Sequence, residues 1–183
     1  MGKKLANEEL GRISIDEFKD SEKTKIVLVL DNIRSLNNVG SAFRTADAFL
    51  LEGVYLCGVT GTPPHPEIHK TALGATDSVK WEKQDSTLNC INQLIKEGYV
   101  ICAIEQTQNS VFLNDLKVDS TKKYALVFGN EVYGVEQNVI DNTDIVIEIP
   151  QFGSKHSLNV SVSIGIICWE FIKQLKFKKS MII

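Results

Sequence analysis

Short apolar runs alternate with amphipathic segments along most of this chain. The runs predict β-strands at 25–31, 53–58, 79–83, 99–105, 124–129 and 144–150, of which the strand at 79–83 is short. Between them, apolar positions recur with helical spacing in 38–50 and 86–98. Near the start, Ser14 and Glu17 form a capping pair that predicts one short helical turn. Because near-continuous apolar strands alternate with helices, the pattern predicts an α/β fold with a mostly parallel sheet flanked by helices.

The segment from Ile149 to Gly165 fits no single element. Its apolar residues from Leu158 onward alternate with small polar ones, which is strand periodicity. Ser157 could instead cap a helix, because the segment CWEFIKQLKFKK at 168–179 is helical in pattern. The periodicity therefore leaves open whether a strand or a helix begins around Ser157.

At 183 residues, 43% of them hydrophobic, the chain has the size of one globular domain with a full core. We expect a short N-terminal extension at 1–24 and a single domain at 25–183. No stretch approaches the roughly 18 apolar residues of a membrane span, and the polar start MGKKLANEELGR lacks a signal-peptide core. Four cysteines without a CxxC pair indicate buried free thiols. These features predict a cytoplasmic protein without membrane contact.

The formal net charge of −3 argues against a wholly basic nucleic-acid binder, but it does not exclude a local basic patch. Basic residues cluster near the two ends of the chain, namely Lys3, Lys4 and Arg12, and Lys173, Lys176, Lys178 and Lys179. Taken alone, each cluster is more typical of solvated surface than of a binding site.

Polar residues follow the first predicted strand, at the edge where parallel sheets bind ligands. The run Asn-Asn-Val-Gly at 37–40 opens a helix whose free N–H groups could face an anion. Arg44 lies nearly two turns further on. In a purely structural interpretation, Asn37 or Asn38 caps the helix, Gly40 allows close packing and Arg44 forms a surface ion pair.

A glycine and a carboxylate follow a later strand, at Gly129 and Glu131. Gly129 permits a ligand to approach the backbone, and Glu131 would lie in a partly sheltered cleft. The structural alternative is that Glu131 complements the dipole of the helix that follows it.

Two pairs of residues suggest a metal site and a serine nucleophile, and we expect neither. His65 and His69 could share a helical face, but no third ligand has suitable spacing and Pro66 lies between them, so we expect no metal. The segment 60–78 instead predicts a long loop with one helical turn. His156 is adjacent to Ser157, yet adjacent residues do not face one another and GxSxG is absent. No P-loop or GxGxxG occurs either.

Three segments together resemble the SpoU (TrmH-like) family of RNA ribose 2'-O-methyltransferases, in the SPOUT superfamily. They are NNVGSAFRTA at 37–46, LVFGNEVYGV at 126–135 and IPQFGSKHSLNVSVSIGI at 149–166. The segment HKTALGA at 69–75 is similar to a further family stretch. The motifs occur in the family's order and at workable spacing, which makes the resemblance specific. It covers the chain from Lys25 to about Phe171.

The resemblance implies a C-terminal deep trefoil knot, a homodimer and S-adenosylmethionine as cofactor. It implies catalytic or substrate roles for Asn38, Arg44, Glu131, Ser157 and Asn159, and cofactor binding by Gly129, Ile149, Ser157 and Leu158. The small residues near Ser157 would then allow close passage of the backbone around the cofactor. A guanidinium is a poor base at neutral pH, so we expect Arg44 to hold a phosphate beside the target ribose. Glu131 or a phosphate oxygen would help to accept the proton.

The substrate implied is RNA. Only about two dozen residues precede the first strand, which favours compact tRNA over a specific rRNA site, with a partner protein as a further possibility for recognition. Two alternatives remain open, a non-catalytic RNA-binding protein of the same fold and a SPOUT methyltransferase acting on a base nitrogen.

Overall fold

The computed structural model describes residues 2–177 and centres on one parallel sheet. Its strands are β1 (Thr24–Asp31), β2 (Leu51–Cys57), β3 (Trp81–Gln84), β4 (Tyr99–Ile104), β5 (Val111–Phe112), β6 (Lys123–Phe128) and β7 (Ile145–Glu148). They are arranged in the order β3-β2-β1-β6-β4-β7-β5, and every neighbouring pair is parallel. All six predicted strands are confirmed. The two-residue β5 was not predicted, because it is exposed and too short to show a period.

The helices are α1 (Ile15–Asp20), α2 (Leu36–Ala48), α3 (Pro66–Ala72), α4 (Ala75–Ser78), α5 (Thr87–Lys96), α6 (Gln137–Ile140) and α7 (Val160–Ile172). The predicted capping pair of α1 is confirmed, since the Ser14 and Glu17 side chains bond each other's backbone N–H at 3.2 and 2.7 Å. The segment 60–78 contains two short helices rather than one turn. Pro66 begins α3 because a first-turn residue needs no N–H donor.

Helices cover both faces of the sheet, and β1 shows how the core divides. Ile26, Leu28 and Leu30 pack with α2, α3 and α7 in one buried cluster. Val27 and Val29 point to the other face, where they pack with α5 and α6. Because successive strand residues face opposite sides, a strand buried on both faces must be apolar throughout. The predicted α/β architecture is therefore confirmed.

The chain after β7 is a loop followed by a helix, so the strand interpretation of 158–166 is wrong. Helix α7 begins at Val160, and its N-cap is Asn159 rather than Ser157. The alternation of apolar residues is coincidental, because the residues that α7 buries include Ile164, Ile167 and Phe171, which follow the helical period. A π-helical turn, Lys173–Phe177, ends the described chain. Lys178 and Lys179 of the predicted basic cluster lie outside the described residues.

The four cysteines are free and buried, as predicted. Burial raises the pKa of the Cys102 and Cys168 thiols to about 12, so both are protonated at neutral pH. Within 2–177, no helix is long and apolar enough to cross a membrane.

Candidate functional site

A cavity of about 710 Å³ opens at the carboxyl ends of β4, β6 and β7. The last residues of these strands form its floor, and the turn after β6 and the loop after β7 form its walls. Ligands of parallel α/β sheets bind in such crevices, because the strand ends and the loops after them converge there. The sequence predicts a ligand site at this edge of the sheet.

Six of the eight predicted site residues line this cavity. They are Gly129, Glu131, Ile149, Ser157, Leu158 and Asn159. Asn38 and Arg44 are not in the lining. Tertiary structure therefore brings the second and third sequence motifs to one cavity, although residues 136–148 separate them along the chain.

The turn after β6 folds back tightly on itself. Asn130 and Gly134 exchange backbone hydrogen bonds of 3.0 and 2.9 Å, which brings the Gly134 carbonyl carbon within 2.1 Å of where a Cβ on Gly129 would lie. Any side chain at Gly129 would therefore collide with backbone. Close approach of the chain to itself requires glycine at this position.

Asn130 stabilises this turn and was missed at the sequence level. Its Oδ1 accepts from the backbone N–H groups of Val132 and Tyr133 at 2.9 and 3.1 Å. Its Nδ2 donates to the carbonyl oxygen of Asn32 at 2.7 Å, which ties the turn to the end of β1. Asn side chains often bond the backbone two residues on in turns, so its place between Gly129 and Glu131 was a usable signal.

Glu131 binds the N-terminus of α2, a helix far from it in sequence. One carboxylate oxygen accepts from the Arg34 N–H at 3.1 Å. The other accepts from the Ser35 N–H and from the Asn38 amide, each at 3.0 Å. A carboxylate at a helix N-terminus is favourable because it meets unpaired N–H donors and the positive end of the dipole. The expected dipole interaction exists, but with α2 rather than with the helix that follows Glu131.

These contacts keep Glu131 ionised. Burial raises the pKa of its carboxyl group, but the hydrogen bonds from Arg34, Asn38 and Ser35, with one from its own backbone, outweigh it and lower the pKa below the ordinary value. A carboxylate with a lowered pKa is a weaker proton acceptor. The geometry therefore favours a positioning role for Glu131 over the role of general base.

The first turn of α2 is held from two sides. Its N-cap is Ser35, whose hydroxyl accepts from the Asn38 N–H at 3.4 Å, so the expected cap at Asn37 or Asn38 is wrong. Thr71 on α3 donates to the Asn37 carbonyl oxygen at 3.0 Å. A Cβ on Gly40 would lie 2.3 Å from the Ile68 carbonyl oxygen, which confirms close packing at this glycine.

Arg44 lies on the exposed side of α2, away from Asn38, which is buried. Residues six apart on a helix do not share a face. Lys173–Glu170 is the single salt bridge found in the part of the chain that the structure describes, so the expected surface ion pair of Arg44 is not observed. The side chain has the exposure that a group binding a macromolecule needs.

Asn159 and Ser157 occupy the wall formed by the loop after β7. Asn159 Oδ1 accepts from the backbone N–H and the hydroxyl of Ser161 at 2.9 and 2.6 Å, which caps α7. Ser157 is exposed and lies two residues before that cap. The start of α7 is thereby fixed at the edge of the cavity, with both side chains among its lining residues.

Two lining residues after β4 were not predicted individually. Glu105 accepts from the Val135 N–H at 3.1 Å and from the Gln106 N–H at 2.9 Å. Gln106 Nε2 donates to the His156 carbonyl oxygen at 3.1 Å and so joins this strand end to the loop after β7. The signal available from sequence was only their position after a buried strand.

The histidines considered as metal ligands or as a base for Ser157 have other surroundings in the structure. His65 caps α3 by accepting from the Glu67 N–H through Nδ1 at 3.2 Å. No group of three or more His, Cys, Asp or Glu residues suited to a metal occurs among residues 2–177. His156 and Ser157 both line the cavity, but no hydrogen bond joins their side chains in this region.

Comparison with known proteins places this architecture in a family. The model of the SpoU rRNA Methylase family matches residues 25–169. An uncharacterized tRNA/rRNA methyltransferase of Borreliella burgdorferi is 34% identical over 164 residues, covering 88% of this chain and 69% of that protein. The tRNA (guanosine(18)-2'-O)-methyltransferase of Aquifex aeolicus is 32% identical over 166 residues, covering 88% of this chain and 75% of that protein.

A solved structure agrees with the sequence match. The AdoMet-bound rRNA methyltransferase of Sinorhizobium meliloti superposes with a TM-score of 0.77 at 26% identity, covering 86% of this chain and 60% of that chain. The family match extends from the start of β1 into α7 and includes every residue that lines the cavity. The chain therefore belongs to the SpoU rRNA methylase family.

Proposed function

We propose that this protein is an S-adenosylmethionine-dependent RNA methyltransferase that modifies ribose 2'-hydroxyl groups. The observation that carries the proposal is the cavity, which collects Gly129, Ile149, Ser157 and Leu158 in a chain of the SpoU family. The similarity to an AdoMet-bound enzyme supports the cofactor. The similarity to a guanosine 2'-O-methyltransferase supports the ribose as target.

The residues of the cavity suit both parts of such a cofactor. Ile149 and Leu158 offer apolar surface for an adenine ring, and the backbone around Gly129 allows close approach. When bound, S-adenosylmethionine supplies a methyl group on a sulfonium: the C–S bond breaks as the bond to the ribose oxygen forms, and the sulfur leaves as a neutral thioether. The protein must then orient the hydroxyl in line with that bond and accommodate its proton.

Glu131, in the turn after β6, and Arg44, on α2, divide this work. Glu131 holds the first turn of α2 and the amide of Asn38. Arg44 is presented to solvent further along the same helix, where its guanidinium binds an RNA phosphate next to the target ribose. A substrate phosphate oxygen is then the better of the two expected proton acceptors, because Glu131 is committed to α2.

A homodimer and the deep trefoil knot belong to the same proposal. The apolar residues Val162 and Trp169 of α7 and Phe177 of the π-helical turn after it are 48%, 50% and 55% exposed. Exposed apolar faces of this kind mark association sites, and a second copy covering them would bring two sets of basic residues together. The knot is proposed from membership of the SpoU family.

We propose tRNA as the preferred substrate, with rRNA as the alternative, and a cytoplasmic location. The Aquifex aeolicus relative is named for tRNA, whereas the family and the Sinorhizobium meliloti enzyme are named for rRNA. A non-catalytic RNA-binding protein and a base-nitrogen methyltransferase are the competing functions. A partner protein for substrate recognition would appear as activity restored by cell extract.

The test is transfer of labelled methyl groups from S-adenosylmethionine to total tRNA and rRNA from cells lacking this protein. We expect label in tRNA with the wild-type protein and at least a hundredfold loss, on the order of the contribution of a positioned transition-state group, with Arg44→Ala. Modified nucleotides should resist alkaline cleavage, because a 2'-O-methyl group blocks attack by the ribose oxygen.

Three results would redirect the proposal. Label in a position that remains alkali-sensitive would indicate a base-nitrogen methyltransferase. Absence of cofactor binding would indicate the non-catalytic RNA-binding protein. Near-full turnover of Arg44→Lys would refute the phosphate-binding role of Arg44, since an ammonium cannot reproduce the two-pronged geometry.

A further inference from the structure

The cavity contains a carboxylate that the proposed reaction does not use. Glu105 follows β4 and lines the cavity next to the turn after β6. Its Oε2 accepts from the Val135 N–H at 3.1 Å, and a Cβ on Gly134 would lie 2.1 Å from the same oxygen. Its Oε1 accepts from the neighbouring Gln106 N–H at 2.9 Å. The side chain is thus held against the tight turn, with its negative charge at the cavity.

No lysine or arginine of the described chain lines the cavity to balance this charge, and His156 is the single basic side chain in the lining. The carboxylates among the described residues that line it are Glu105 and Glu131. Glu131 faces the N-terminus of α2, a helix of thirteen residues, and the positive end of the helix dipole stabilises its charge. Glu105 accepts only two neutral N–H groups. The cavity therefore favours a ligand with excess positive charge.

The methyl donor and its demethylated product differ in this property. S-adenosylmethionine carries a sulfonium and an ammonium against one carboxylate, so its net charge is positive. Transfer of the methyl group turns the sulfonium into a neutral thioether, and S-adenosylhomocysteine has no net charge. A nearby carboxylate lowers the free energy of the first ligand more than that of the second.

Building on the proposed function, we infer that Glu105 is a specificity-determining residue that makes the cavity prefer the charged methyl donor over its uncharged product. Its role is to attract the substrate form of the cofactor and to weaken retention of the product once the charge is lost. Glu105 acts here through its charge, and the turn that it holds is a separate, structural function.

The test is isothermal titration of S-adenosylmethionine and S-adenosylhomocysteine into wild-type protein, Glu105→Gln and Glu136→Gln. Gln at 105 can still accept from the Val135 N–H through its single amide oxygen, so it removes the charge and keeps the contact with the turn, while the hydrogen bond from the Gln106 N–H is lost. We expect the ratio of the two affinities to fall by roughly five- to tenfold in Glu105→Gln, the size of one partly screened charge interaction. Glu136, the N-cap of α6 just after the turn that Glu105 contacts, does not line the cavity. Glu136→Gln therefore removes a nearby carboxylate and should leave the ratio unchanged.

A purely structural role for Glu105 predicts something different, namely equal loss of affinity for both ligands, and that outcome would overturn the inference. Glu105→Asp provides a second check, because it keeps the charge and shortens the side chain; it should retain the ratio even where both affinities drop. Wild-type protein that binds neither ligand would refute the proposed function itself, whereas an unchanged ratio in Glu105→Gln would refute only the role of Glu105.

Discussion

At the scale of single residues, the most informative side chain is Glu131. It lies in a turn beside the cavity, yet its three donors belong to the start of α2, almost a hundred residues earlier in the chain. A sequence motif that contains this glutamate suggests acid–base chemistry. The contacts indicate instead that the carboxylate connects the cavity wall with the helix that carries Asn38 and Arg44.

We predict that Glu131→Gln destabilises the protein by about 0.5–1 kcal/mol at pH 7, because the amide cannot accept all three hydrogen bonds and water compensates part of the loss at this exposed side chain. The lowered pKa sets the sign of the pH dependence: the stabilisation is present above the unfolded value of 4.5 and is lost as pH falls through the folded pKa. Urea unfolding at neutral and acidic pH measures this. A destabilisation that is equal at both pH values would contradict the proposed cause.

At the scale of elements, contacts between helices decide where the functional side chains lie. Helix α2 approaches α3 at Gly40, and α7 packs against α2 within the main core. On its outer side α7 exposes Trp169, whose ring lies 6.4 Å from that of Phe49 and 6.1 Å from that of Phe177. One helix layer therefore contributes both to the core and to an apolar surface.

We expect Gly40→Ala to destabilise the fold by roughly 1–3 kcal/mol, the range for overpacking a tight contact. The added methyl group would lie 2.3 Å from the backbone oxygen of Ile68, which cannot rotate away. The matched control is Gly165→Ala in α7, where no atom lies within 4 Å of the new Cβ and helix propensity improves. Thermal unfolding of the two variants measures the contrast, and equal behaviour would show that α2 can shift.

Charge placed on the outer side of α7 should prevent association. We predict that Trp169→Glu converts a dimer to a monomer in sedimentation experiments, because an ionised carboxylate is costly to bury in an apolar interface. Trp81→Glu provides the control, since Trp81 is 39% exposed on the edge strand β3. Loss of the dimer in both variants, or in neither, would place the interface elsewhere.

At the scale of the whole molecule, the cavity joins parts that are distant in sequence, so a ligand there stabilises the complete fold. The strand ends of β4, β6 and β7 and the start of α7 all contribute to its lining. Any ligand that binds only the folded state raises the free energy of unfolding by an amount set by its concentration.

We predict that S-adenosylmethionine at a hundred times its Kd stabilises the protein by about 2.7 kcal/mol. For a chain of this length, that corresponds to a rise in Tm of roughly 5–10 °C. Differential scanning fluorimetry with and without cofactor measures the shift, with ATP at the same concentration as an adenine-containing control. An equal shift with ATP would show that the cavity recognises only the adenosine part.

The sequence by itself determined most of the elements and pointed to most of the residues that line the cavity. Apolar runs indicated the central strands, because strands buried on both faces must be apolar throughout, whereas the edge strand β3 is largely exposed. The capping interaction of Ser14 could be predicted because its partner, Glu17, is only three residues away. The motifs around Gly129 and Ser157 pointed to residues that share one cavity.

Only the tertiary structure decided which groups meet. That Glu131 binds the start of α2, that Glu105 supports the turn at Gly134, and that Arg44 lies outside the cavity lining all depend on strand order and helix packing. The start of α7 at Val160, after its N-cap Asn159, could likewise not be predicted, because small alternating residues fit a strand and a helix equally well until the buried face is known. Periodicity reports local burial, whereas hydrogen bonds between distant segments arise only when the chain closes on itself.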